Sequence, residues 1–131
     1  MSEMRLFVCV DSSPGALAAA RLALAMAQQH GGVVRAVSVL ENERLERGAR
    51  SMLDRIGAMA AERGIRIETE MRAGDALGEL MKDARRWGPD FVLIGRTARS
   101  GPGSPMLGSL AMHVIEFSDW PVIAVPTGPQ G

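Results

Sequence analysis

At 131 residues, 47% hydrophobic and 23% charged, the chain has the make-up of a globular domain long enough to bury its own core. Fifteen Lys and Arg balance fifteen Asp and Glu, so no net field draws nucleic acid or an anionic membrane surface, and one cysteine excludes an intrachain disulfide framework. No apolar stretch reaches the ~20 residues of a membrane span, and Glu3 and Arg5 precede a run too short for a signal-peptide core; one cytoplasmic domain over residues 1–131 is expected.

Leu6 to Val10 is an unbroken apolar run, the pattern of a strand buried on both faces. Asp11-Ser12-Ser13-Pro14 follows, with Ser13 placed to cap a helix and Pro14 at its first position. Leu17, Ala20, Leu24 and Ala27 share one face of that helix, which His30-Gly31-Gly32 ends. Val33 to Leu40 reads as the second strand. Glu41 to Gly48 is charged and reads as a loop into a second helix, whose inner face carries Leu45, Ala49, Met52, Ile56 and Met59 up to Gly64.

Ile65, Ile67, Thr69 and Met71 alternate with Arg66, Glu68, Glu70 and Arg72, a period-two strand with one wet face. In a parallel sheet covered on both sides, such a strand belongs at an edge. Asp75 is placed to cap a third helix with Leu77, Leu80, Met81 and Ala84 inside, stopped by Gly88-Pro89. Phe91 to Ile94 is continuous and apolar, hence central. Leu110 to Phe117 has helical periodicity, and Val122 to Val125, bracketed by Pro121 and Pro126, reads as an edge strand. The sum is an α/β fold: a three-layer, open, twisted sheet of five parallel strands in the order 3-2-1-4-5, helices on both faces, Rossmann-like. Its ligand crevice lies where the winding reverses, at the carboxyl ends of strands one and four. Asp11 and Gly95 face each other there.

Between Ile94 and Leu110 runs GRTARSGPGSPMLGS, a glycine-rich loop that hands over to a helix at Gly108-Ser109. The first N–H groups of a helix have no intrahelical partner and sit at the positive end of its dipole, so this is a candidate phosphate cradle. The run Gly95-x-x-Ala98, nine residues, then Gly108-Ser109 resembles the nucleotide loop of the universal stress protein family, G-x2-G-x9-G-[S/T]. Val8-Cys-Val-Asp11-Ser-Ser13, Asp90 to Gly95 and Trp120 to Val125 resemble the family's strand-one end, strand-four entry and closing strand. The resemblance implies ATP binding, with or without Mg²⁺. Asp11 would then lie beside ribose and adenine, the Val39 backbone would read adenine, and Gly95, Arg96, Gly108, Ser109 and Leu110 would surround the phosphates. It also implies a homodimer paired through Val122, Ile123, Ala124 and Val125, a regulatory role in stress response, and a protein partner that it does not identify.

Two features depart from that pattern. Ala98 stands where ATP-binding members carry a second glycine, and Pro102 and Pro105 remove two donors from the loop, while Arg96 and Arg99 add charge. A second alternative therefore stands beside ATP binding: a dimeric interaction module of the same fold without nucleotide.

The remaining chemistry-bearing residues have plainer readings. Ser109 by itself reads as a helix N-cap, Cys9 as a buried small hydrophobe, His30 as a solvated helix end, and Trp87 and Trp120 as packing anchors. His113 has no second ligand-type residue near it in sequence to suggest a metal. Neither G-x4-G-K-[S/T] nor G-x-S-x-G occurs, and no general base is evident at the phosphate end, so an enzyme is not expected.

Overall fold

The computed structural model describes residues 3–11, 13–96 and 108–127. Strands β1 Met4–Cys9, β2 Gly32–Leu40, β3 Ile67–Ala73, β4 Phe91–Gly95 and β5 Val122–Val125 alternate with helices α1 Pro14–His30, α2 Glu46–Glu62, α3 Ala76–Trp87 and α4 Ser109–Phe117. Every neighbouring pair of strands is parallel, and the order is β3-β2-β1-β4-β5, as expected. The chain winds outward both ways from β1, which makes the β1/β4 boundary the switch point.

Strand alternation sorts the core onto two faces. Leu6, Val8, Val34, Ala36 and Leu93 pack with residues of α1 and α2 on one side; Phe7, Cys9, Val37, Val92 and Ile94 pack with residues of α3 and α4 on the other. The buried stripe of α1 includes Ala16, Ala19, Ala20, Ala23 and Ala27, whose small side chains let this helix lie close on the sheet. Trp87 is the packing anchor it was expected to be: its ring lies 6.3 Å from Phe7, and the Arg5 guanidinium sits 4.2 Å above it.

The stretch Glu41–Gly48 differs from the expected loop. A 3-10 turn spans Glu43–Leu45, and α2 begins at Glu46. The Asn42 side chain accepts the Arg44 N–H at 3.0 Å and starts the turn, and Glu46 pairs with Arg50 one turn on. Charge there marked an exposed helix face, not a break. The inner face of α2 also differs: Ala49, Leu53, Ile56 and Ala60 are buried, whereas Met52 and Met59 flank that stripe and Leu45 is exposed.

The face of β3 read as wet is partly roofed by α3. Asp83, its side chain 2% exposed, accepts Arg35 Nε at 2.7 Å and Nη2 at 2.9 Å, and Arg72 Nε at 2.7 Å; Arg35 Nη1 also reaches Glu68 at 2.7 Å. Burial alone would push the Asp83 carboxyl up, but the hydrogen bonds and charges of Arg35 and Arg72 outweigh it and hold it below the usual carboxylate range. One buried carboxylate thus clamps α3 to both β2 and β3.

Candidate functional site

The carboxyl ends of β1, β2 and β4 and the N-termini of α3 and α4 line a cleft of about 400 Å³, within the size range of small-molecule sites. Parallel strands make this geometry, because each strand delivers its following helix with the N-terminus at the same edge of the sheet.

At the end of β1, Asp11 is fixed by a tight local turn. Its Oδ1 accepts the Ser13 N–H at 2.9 Å and the Ser13 hydroxyl at 2.5 Å. Ser13 does occupy the N-cap position of α1, but its side chain makes no capping bond, the hydroxyl being turned toward Asp11 instead. Just beyond β1, the Val10 N–H still pairs with the Val37 carbonyl at 2.8 Å, so Asp11 projects from ordered sheet.

At the end of β4, Gly95 meets α1. A Cβ built on Gly95 would lie 2.6 Å from the Gly15 carbonyl carbon and 2.7 Å from its Cα. Helix packing therefore demands glycine here, a reason the motif spacing did not suggest. Arg96 is exposed; its N–H donates to the Val125 carbonyl at 2.7 Å, and its own carbonyl accepts the Gly108 N–H at 3.0 Å. That bond ties the start of α4 to the end of β4. Ala98, Arg99, Pro102 and Pro105 lie outside the described residues.

The start of α4 corrects the reading of Ser109 as an N-cap. Gly108 holds the N-cap, with extended φ and ψ of −66° and 153°, and Ser109 is the first helical residue. The Gly108 carbonyl accepts the Met112 N–H at 3.0 Å. The N–H groups of Ser109 and Leu110, in the first turn, have no intrahelical carbonyl to bond and carry the positive end of the dipole.

Of the residues singled out in the sequence, Asp11, Val39, Gly95, Gly108, Ser109 and Leu110 all line this cleft, and Arg96 does not. The sequence reading missed Glu41, Leu45, Asp75, Leu77 and His113, which line it too. Asp75 was legible in principle. It caps α3, accepting the Gly78 N–H at 2.8 Å, and the strand-to-helix rule puts that cap at the same sheet edge as Asp11. Gly74, at φ 134°, turns the chain there while its N–H holds the Leu40 carbonyl at 3.0 Å. Leu45 reaches the cleft only because the 3-10 turn exists.

The charge of the cleft is uneven. Asp11, Glu41 and Asp75 bring carboxylates, His113 brings an imidazole, and no Lys or Arg is among the described lining residues. Groups of three or more His, Cys, Asp or Glu suited to a metal ion are also absent among the described residues. Cys9, behind Asp11, is fully buried; burial first, then the Asp11 charge, pushes its thiol far up, so it takes no part as a nucleophile.

The profile of the Universal stress protein family matches residues 4–126. The chain belongs to the universal stress protein family. Among universal stress proteins, MJ0531 of Methanocaldococcus jannaschii is 27% identical over 92% of this chain and 81% of that relative. A universal stress protein of Archaeoglobus fulgidus, solved in complex with dAMP, superposes with a TM-score of 0.75 at 20% identity, over 95% of this chain and 99% of that one. A universal stress protein family protein of Arabidopsis thaliana, solved with AMP bound, gives 0.73 at 16% identity over 94% and 91%. These structures share the fold of this chain.

Proposed function

We propose that this protein binds an adenine nucleotide, ATP with or without Mg²⁺, in the cleft at the β1/β4 switch point and acts as a nucleotide-dependent regulator in stress response. The carrying observation is convergence: Asp11, Val39 and the Gly108-Ser109-Leu110 helix start, far apart in sequence, line one cleft. Asp11 is assigned to the ribose and adenine end and the Val39 backbone to adenine. The first-turn N–H groups of α4 are assigned to phosphate; Arg96, assigned there by the family resemblance, lies outside the cleft lining. AMP and dAMP bound to the fold relatives support the ligand class. The reading is of a binding protein and not an enzyme; turnover abolished by Asp11→Asn would overturn that part.

The test is calorimetric titration of nucleotide-stripped protein with ATP and Mg²⁺, beside Ala98→Gly. Micromolar binding by the native chain supports the proposal. Binding only by Ala98→Gly places the obstacle at that position. Silence from both favours the second reading, an interaction module, for which three carboxylates and no described Lys or Arg in the cleft are the specific observation.

The proposal includes a homodimer through Val122, Ile123, Ala124 and Val125. Strand β5 is a sheet edge, and α4, packed beside it, exposes Met112 and Ile115. Sedimentation at micromolar concentration checks it; a monomer would end this part of the reading.

A further inference from the structure

His113 stands one helical turn after Ser109 on α4, and both line the cleft. Residues four apart share a helix face, and side chains lean toward the helix N-terminus, which directs this imidazole to the same end as the first-turn N–H groups. Its ring is exposed and has the Phe117 ring 6.5 Å behind it on the next turn. The charged groups on the surrounding elements are Asp11 beyond β1, Arg35 on β2 and Glu41 beyond it, Asp75 at the cap of α3 with Glu79, Lys82, Asp83, Arg85 and Arg86 along it, Arg96 beyond β4, and Glu116 on α4 itself with Asp119 beyond it. Three of these, Asp11, Glu41 and Asp75, line the cleft and are acidic. Among the described lining residues, His113 is the side chain able to carry positive charge.

From this placement we infer that His113 is a positioning and specificity residue for the phosphate of the bound nucleotide, one that tightens binding of the phosphorylated ligand in acid. The inference rests on the nucleotide reading above. A protonated imidazole donates from both nitrogens and carries the charge that an anion entering an acidic cleft needs. Neutral imidazole offers one donor and no charge. Phosphate recognition is then strongest on the acid side, while recognition of the uncharged nucleoside is indifferent to pH. Native protein and His113→Gln share every cleft carboxylate, so the difference between their responses at pH 5.5 and 7.5 isolates the histidine.

The probe is the methyl ester of AMP, whose phosphodiester keeps one negative charge across that window, with adenosine as the uncharged control. Both are titrated into native protein and His113→Gln at pH 5.5 and 7.5. The expected result is an affinity for the ester about three- to fivefold higher at pH 5.5 in the native protein, the size of one exposed charge contact. The gain is absent in His113→Gln, and adenosine binds each protein equally at the two pH values. Equal pH slopes for the ester in native and variant protein, with adenosine still bound, would overturn the role of His113 and leave the nucleotide reading standing. Failure of both ligands to bind either protein at either pH would overturn the nucleotide reading and this inference with it. Matching thermal melts of the two proteins exclude misfolding as the source of any difference.

Discussion

Gly95 and Gly15 are in backbone contact: the space a Gly95 side chain would need is occupied by the Gly15 carbonyl carbon, 2.6 Å from the Cβ position. A contact under 3 Å against main chain has no flexible neighbour to yield, so α1 must shift. Gly95→Ala is expected to lower stability by about 2 kcal/mol, as overpacking does. Thermal unfolding checks it; an unchanged melting temperature would show that α1 moves freely. A loss of the proposed nucleotide binding in this variant would therefore report displaced structure before a missing phosphate contact.

Asp83 gives a prediction with a sign in pH. Its folded carboxyl lies below the usual range, so its stabilisation is present above the ordinary carboxylate pKa near 4 and is lost as pH falls through the folded value. Asp83→Asn leaves Arg35 and Arg72 without their shared counter-charge and is expected to cost about 3 kcal/mol at neutral pH. Urea titrations at pH 7 and pH 3 should show the gap between native and variant shrinking in acid. A gap that stays constant would mean the charge contributes nothing.

Cys9 predicts the opposite direction. A thiol whose folded pKa is raised stays protonated in the native state while the unfolded thiol ionises above about 8.5. Native stability should thus decline from pH 8 to 10, less steeply in Cys9→Ala after allowance for the cavity. A thiol reagent at pH 8 should label Cys9 at the rate of unfolding, not of solvent encounter; immediate labelling of native protein would refute its burial.

Asp75→Ala removes the cap of α3 and is expected to cost about 1 kcal/mol, whereas Asp75→Asn should recover most of it. Thermal melts of the pair check this. Equal losses would show that the Asp75 charge, not its hydrogen bond to Gly78, is what matters.

Sheet order was readable because three strand types announced themselves: the apolar runs of Leu6–Val10 and Phe91–Ile94, the alternation through Glu68 and Glu70, and the prolines around Val122–Val125. Six of the seven proposed site residues follow from that order, since each lies at the carboxyl edge of a strand or at the start of α4. Three things were not readable. The Glu43–Leu45 turn is held by local bonds, the Asn42 side chain accepting from Arg44 and its carbonyl from Leu45, which leave no periodic trace. The Asp83 cluster joins residues on β2, β3 and α3, and pairing across that distance is set by register. The contact of Gly95 with Gly15 depends on how closely α1 approaches the sheet, a packing distance that spacing does not encode.

The bond from the Gly108 N–H to the Arg96 carbonyl, with Arg96 itself held by Val125, gives the segment 97–107 two anchored ends side by side. Closure cost grows only slowly with length once the ends are fixed together. The ends of β4 and β5 and the start of α4 are thereby tied into one unit by main-chain bonds of their own.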